Sequence, residues 1–560
     1  QIFQMLAICA VAACVCCTLS STEALINKAS IVIPFTKRRS SRIAISLDEN
    51  IATLTRAVEQ NSEVFRENDL LVLTSTAASS FFTTKPSHGE VLWKDAFKKI
   101  ADKIIWEGKN DKYDPIEGDL KARVICVEDM ISFPENFSSN SIESLSSKVI
   151  VLVGLGEETI LTENWKFLKD NVLDKAKAIT SFNCSTTITQ LEKYGDYYPH
   201  ENSPIEPLLK TFDELLKTRR NTDRKRYEIA LDLWQRKSLD DLVFLMFVLI
   251  DTYGAYRIKS VQSVTSTETT SFEQISCMCG NCADVMAECF KDETCRKALD
   301  CLNKCKGNDQ VCSYRCITSH ETPAFEKFAM CILQKHNCMG NQATVPVYPN
   351  PLPMSRFRNE ELTFEMAENI FIGHLQLREG EINPLSNNEL LPWSWKVVCG
   401  QNPAYDYFAC QHQLFYRDKA RPSVVWYDPV FRVTTLYGED VWRRRHYRVR
   451  RAELPGQFHF SVVDNGVVSK EFWRILDCAD DLSWAVFYYG GAASAAGTSY
   501  TGALVVTPDG KWPVMTEETS DRISSALQRA EITMWELFEV RNECCGGFEG
   551  DPNPPPLGLK

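Results

Sequence analysis

Eleven of the chain's 22 cysteines fall in one short block, in the order Cys277, Cys279, Cys282, Cys289, Cys295, Cys301, Cys305, Cys312, Cys316, Cys331 and Cys338. Such density means disulfides or metal. Zinc needs matching Cys-x2-Cys knuckles; Cys279 and Cys282 alone have that spacing, and His320 and His336 are too scattered to complete a site. Cys301/Cys305 and Cys312/Cys316 are each spaced i, i+4, so both members of a pair share a helix face and can bridge to a neighbouring helix. Disulfides, no metal and an oxidising compartment are therefore expected. The odd count leaves at least one cysteine to bond outside the block or stay reduced.

Two other patterns could carry chemistry. VLVGLGEET (151–159) holds Gly154 and Gly156 but lacks the third glycine of a dinucleotide fingerprint, so it reads as a turn at a strand end. Arg443, Arg444, Arg445, Arg448, Arg450 and Arg451 crowd one strand. Alternation puts Arg444, His446, Arg448 and Arg450 on one face, either a solvated exterior or a contact for lipid headgroups or another anion.

The elements that must position these groups follow from the whole chain. Its 560 residues suggest roughly three to four domains. A net charge of −12 argues against a nucleic-acid partner, and 12 Trp, 18 Tyr and 29 Phe give ample material for packed cores. Residues 1–24 read as a signal-like segment, with a membrane anchor as the rival, and 25–48, basic and Ser-containing, as a transit segment or a plain linker. Residues 49–261 alternate helical patterns (54–68, 93–108, 163–178) with apolar strand-like runs (70–73, 124–127, 149–153), which predicts an α/β domain with a parallel sheet. Leu242–Ile250 is apolar all round but too short to span a bilayer, so it reads as a buried helix. The cysteine block, 277–340, predicts a small helical domain stapled by disulfides. Residues 386–515 hold eight short strand-like runs, an antiparallel barrel able to hold one apolar ligand, and 517–560 a helix (517–540) and a Pro-rich tail.

The residues of the last two blocks resemble the violaxanthin de-epoxidase family, whose members carry a Cys-rich domain and a lipocalin-type barrel. The cysteine spacing from Cys282 to Cys338 matches that family's, with a shortened gap between Cys305 and Cys312. WKVVCGQNPAYDYFACQ (395–411) is similar to its first barrel strand and the loop after it, and FWRIL (472–476) and WAVFYY…SYTGALVVT (484–507) also align. The likeness covers roughly 277–545, and the long N-terminal part looks more like the related-protein branch of the family.

The resemblance implies removal of epoxide oxygen from xanthophylls with ascorbate as co-substrate, in the acidified thylakoid lumen of a plastid, with the thylakoid lipid surface as a further partner. It implies Asp406 and Glu471 as catalytic acids, Glu471 standing where the family has its principal Asp. Gln411, Trp473, Trp484 and Tyr500 are the implied substrate-binding residues, Trp484 replacing a family Tyr. Cys410 falls on a family cysteine that bonds back to the Cys-rich domain, and Cys545 falls near the last one. The chemistry is reasonable: an epoxide oxygen leaves more easily once protonated, and burial in an apolar barrel keeps a carboxyl protonated in mild acid. This chain departs from the pattern at Ala409, where the family has a second Asp, and at Gln413, where it has a His. Acid-catalysed isomerisation of the epoxide, or carotenoid or lipid binding without catalysis, stand as alternatives. Asp406 could also simply cap its loop, Glu471 could lie on the outer face, and Trp473 and Trp395 could be ordinary core.

Overall fold

The computed structural model describes residues 68–543, apart from 108–112, 115–119, 130–146, 201–212, 255–256, 259–260, 262–270, 307–308, 376–390, 403–407 and 419. The signal-like and transit-like segments, Asp406, Cys545 and the Pro-rich tail lie outside the described residues.

The N-terminal strands are β1 (Asn68–Thr74), β2 (Ala122–Cys126), β3 (Ser147–Val153), β4 (Ala178–Phe182) and β5 (Lys193–Tyr194), in the order β2-β1-β3-β4-β5. β1 pairs with β2, and β3 with β4, in parallel; β5 runs antiparallel to β4. Near-continuous apolar runs suit strands covered on both faces. Leu70, Val72, Val149, Val151 and Val153 pack on α1 (Trp93–Glu107) and on the long apolar helix Leu239–Gly254. The helical pattern read over 163–178 stops at Asn171. Its last residue opens β4 instead, because β-branched Ile179 and Thr180 complete the sheet beside β3. Gly154 is a strand-end turn with φ +63°, and a Cβ there would sit 2.6 Å from Ala78 Cβ and 2.9 Å from Trp93 Cδ1. The carboxyl edge of the sheet carries stacked rings: Phe182 on Trp234 at 4.1 Å and Trp234 on Trp93 at 5.1 Å.

The cysteine block forms α2 (Phe272–Lys291), α3 (Glu293–Leu302), α4 (Gln310–Ser319) and α5 (Pro323–Ala329), the last running on through a π-helical turn. Ser271, Asp292, Asp309 and Thr322 cap their N-termini. Disulfides join Cys277–Cys338, Cys282–Cys331, Cys289–Cys295, Cys301–Cys316 and Cys305–Cys312. Cys301 on α3 and Cys305 in the turn that follows it thus bridge to Cys316 and Cys312 on α4 as two rungs of a ladder. Two expectations are corrected. Cys279 forms none of these bridges, because it sits two residues beyond Cys277, roughly 200° around the helix. Cys410 is disulfide-bonded, but its partner is none of these ten cysteines, which satisfy one another.

The barrel strands are β6 (Trp395–Gly400), β7 (Ala409–Arg417), β8 (Val425–Thr434), β9 (Asp440–Arg444), β10 (Tyr447–Arg451), β11 (Gln457–Asp464), β12 (Val467–Cys478), β13 (Ala485–Ala493) and β14 (Thr498–Thr507). β9 and β10 are one strand along β8, interrupted at Arg445 and His446 opposite Pro429, which has no N–H to donate. Pairing of β7 with β8 and of β6 with β14 closes eight antiparallel strands into a ring. One end is plugged by α6 (Phe364–Ile372). Phe371 stacks on Phe415 at 4.6 Å, and Trp395 Nε1 donates to the Ile370 and Phe371 carbonyls at 3.0 Å. The other end meets the disulfide domain. Arg315 donates to the Thr434 and Thr435 carbonyls at 2.9 Å, and a Cβ on Gly466 would lie 2.4 Å from the Glu326 carbonyl oxygen on α5.

The C-terminal helix, α7 (Glu517–Arg529), is shorter than expected. Glu531 takes φ +55°, and the chain turns back so that β15 (Phe538–Glu539) pairs with β6. No described helix is long and apolar enough to cross a membrane.

Candidate functional site

Alternation along β12 sends Glu471, Trp473 and Ile475 into the barrel. Glu471 is 6% exposed and lines a small pocket together with Gln411, Gln413, Tyr427, Tyr447, Trp473 and Tyr489. It faces inward, not outward. Tyr500 Oη donates to Glu471 Oε1 at 2.6 Å, Trp473 Nε1 to Oε2 at 2.6 Å, and Tyr447 Oη to Oε1 at 3.4 Å.

Burial pushes the Glu471 carboxyl above its ordinary range, and this outweighs the downward pull of Tyr500, Trp473, the Arg445 charge and Tyr447. The two hydroxyl groups can reverse and accept when the carboxyl carries a proton. The walls are aromatic: Trp473 stacks between Phe460 at 4.8 Å and Tyr489 at 5.2 Å. Two glycines make room for two tyrosines. A Cβ on Gly491 would lie 2.5 Å from the Tyr500 ring, and one on Gly502 would lie 2.5 Å from Tyr489 Oη.

Gln411 lines the same cavity and donates from Nε2 to the Phe408 carbonyl at 3.1 Å. Gln413 accepts the Tyr427 hydroxyl, so it offers the cavity a neutral, hydrogen-bonded amide. Arg445, also inward, pairs through Nη2 with Asp464 Oδ2 at 2.5 Å and lies over the Tyr314 ring at 4.8 Å. Tyr314 belongs to the disulfide domain and packs against Phe408 and Phe431 at the barrel mouth.

Trp484 is a correction. It packs outside the barrel with Val486, Tyr488 and Ile523, under the Arg522 guanidinium at 4.9 Å. Ala485, Phe487 and Tyr489 point inward, so Trp484 has the opposite parity. Trp395 sits in the plug as core. His412 points away from Gln411; it is buried beside Trp393 and Trp442, and burial pushes its pKa down to about 3. Arg448 and Arg450 are exposed outside, whereas Arg444 and His446 both bind the buried Asp428, at 2.6 and 2.7 Å. Tyr447, Tyr489 and Tyr427 were missed by the sequence reading. Their signal was the inward parity they share with the strand partners of Glu471 and Trp473.

The family model for the VDE lipocalin domain matches residues 274–542. The chloroplastic violaxanthin de-epoxidase of Nicotiana tabacum is 19% identical over 337 residues, 59% of this chain. The chain thus spans 60% of the length of that curated relative. Among solved structures, lobster apocrustacyanin A1 is 10% identical with a TM-score of 0.20, covering 26% of this chain and 75% of that one. H1 crustacyanin of Homarus americanus is 10% identical with a TM-score of 0.21, covering 36% of this chain and 93% of that one.

Proposed function

Because residues 274–542 make this chain a lipocalin-type member of the violaxanthin de-epoxidase family, we propose that it removes epoxide oxygen from a xanthophyll end group by acid catalysis in the barrel. The observation that carries this reading is Glu471, a buried carboxyl at the wall of an aromatic cavity whose proton affinity is raised.

In this reading one cyclic end group enters beside Glu471 as the aromatic side chains shift, with the polyene leading out through the mouth. Trp473 and Tyr489 give the ring flat apolar walls. Glu471, protonated, donates to the epoxide oxygen as the C–O bond breaks. Ascorbate supplies two electrons and is oxidised to dehydroascorbate. With two protons in all, the oxygen leaves as water and the two carbons are joined as an alkene. Tyr500 and Trp473 then hold the resulting carboxylate until it is reprotonated. The plastid, named for the tobacco relative, is the proposed compartment, and an oxidising lumen fits five disulfides.

A second reading, a pigment-binding barrel without turnover, is favoured by one feature. Among the described cavity-lining residues, Glu471 is the single carboxyl group. The test is incubation of the oxidised full chain with a xanthophyll epoxide, ascorbate and galactolipid at about pH 5 and about pH 7.5. De-epoxidised product favouring the lower pH supports the enzyme. An isomerised product keeps the acid and removes ascorbate. Bound but unchanged pigment supports the binder.

A further inference from the structure

The α/β domain lies outside the matched region, yet it contacts the C-terminal tail that runs beside β6 and the start of β7. Glu536 is 3% exposed. It caps its own turn, accepting from Thr533 N at 2.8 Å and Thr533 Oγ1 at 2.9 Å. Its remaining capacity is shared between two domains. Lys103 Nζ, on α1 of the α/β domain and 4% exposed as a residue, lies 2.9 Å from Oε2, and Lys99 Nζ lies 3.7 Å from Oε1. Gln401 Nε2, at the end of β6, donates to the same Oε2 at 2.9 Å. Lys99 Nζ also donates to the Glu531 carbonyl at 2.5 Å, and Phe82 packs on Trp535 at 4.9 Å.

From there the tail runs beside β6 and touches the start of β7. Val540 N donates to the Val398 carbonyl at 2.9 Å, and Cys410 N donates to the Arg541 carbonyl at 3.0 Å. Gln401 directly follows β6, and Cys410 is the second residue of β7. Directly beyond Cys410 come Gln411 and Gln413, both on the cavity wall.

We infer that the α/β domain is a positioning domain for the barrel cavity, acting through the Lys103–Glu536 contact on Gln401 and, along the tail, on Cys410. Glu536 touches no ligand; it is a positioning residue. A buried ion pair costs desolvation and breaks badly when one partner is lost, so the contact is sensitive to either side chain. The carboxyl edge of the sheet, where a doubly wound fold would take a ligand, is filled by rings, and Phe82, edge-on to Trp93, carries Trp535 of the barrel's tail.

The experiment is hydrogen exchange of the full oxidised chain, comparing the parent with Lys103→Met, Glu536→Gln and Lys103→Arg. It needs no substrate, so its outcome is independent of the proposed reaction. Expected is exchange about tenfold faster or more at the Gln401 and Cys410 amides in Lys103→Met and Glu536→Gln, with Phe487–Tyr489 unchanged and protection retained in Lys103→Arg. Unchanged exchange at Gln401 and Cys410 overturns the inference. So does equal loosening of Phe487–Tyr489, which would mark a global loss of stability, or failure of Lys103→Arg to retain protection.

Discussion

Gly491 stands directly across from Tyr500 in the β13–β14 register, and the tyrosine ring occupies the space its missing side chain leaves. A methyl group there drives the ring off Glu471. Tyr500 donates to the carboxylate and so lowers its proton affinity; removing that donor raises it further. Gly491→Ala and Tyr500→Phe should therefore both carry the acid-dependent activity to higher pH, at a rate reduced about tenfold by the lost positioning. A pH–rate profile unmoved by Tyr500→Phe would refute the link.

Glu471→Gln removes the proton donor but keeps the shape. Product formation should fall by about 10²–10⁴-fold, while pigment still quenches tryptophan fluorescence. Stability gives a second reading. A carboxyl whose folded pKa is raised binds its proton more tightly when folded, so its penalty is absent at low pH and grows as pH rises through the folded value. The Tm of Glu471→Gln relative to the parent should accordingly rise from about pH 4 to about pH 8.

His412 has the opposite history, being buried neutral with its pKa pushed down to about 3. The unfolded chain takes up that proton first as pH falls below about 6.5, which drains stability from the fold by about 2 kcal/mol at about pH 5. His412→Leu should flatten that acid limb in urea melts at graded pH. An unchanged slope would mean that His412 does not carry the acid sensitivity.

The α3–α4 ladder holds the domain that packs on the barrel mouth through Tyr314 and Arg315. Replacing both Cys301 and Cys316 by Ser should cost about 2–5 kcal/mol of that domain's stability. It should also weaken pigment binding, because Tyr314 no longer braces Phe431. Differential scanning calorimetry and a binding titration on the same sample would separate the two effects.

The barrel was legible because half-buried antiparallel strands alternate and turns punctuate them at short intervals. That rule also places Glu471 inside once Trp473 is known to be inside. Trp484 went wrong because a large aromatic just before a strand was assigned by alignment, not by its parity with Phe487. The Phe371 plug was illegible, since nine apolar-rich residues do not announce which cavity they enter. The return of residues 530–540 to β6 was hidden by a helical pattern, and what overrides it is tertiary pairing. Asp406 and Cys545 lie outside the described residues.

Among the described residues, Phe371 and Trp395 stop one end of the tube, which leaves the end beside Tyr314 as its door. A rod-like pigment with a ring at each end can offer only one of them at a time, and the other stays outside in whatever medium carries it. Under the proposed reaction, treating the second ring would require the molecule to back out, turn round and enter again, so that turnover in such a dead end would be distributive.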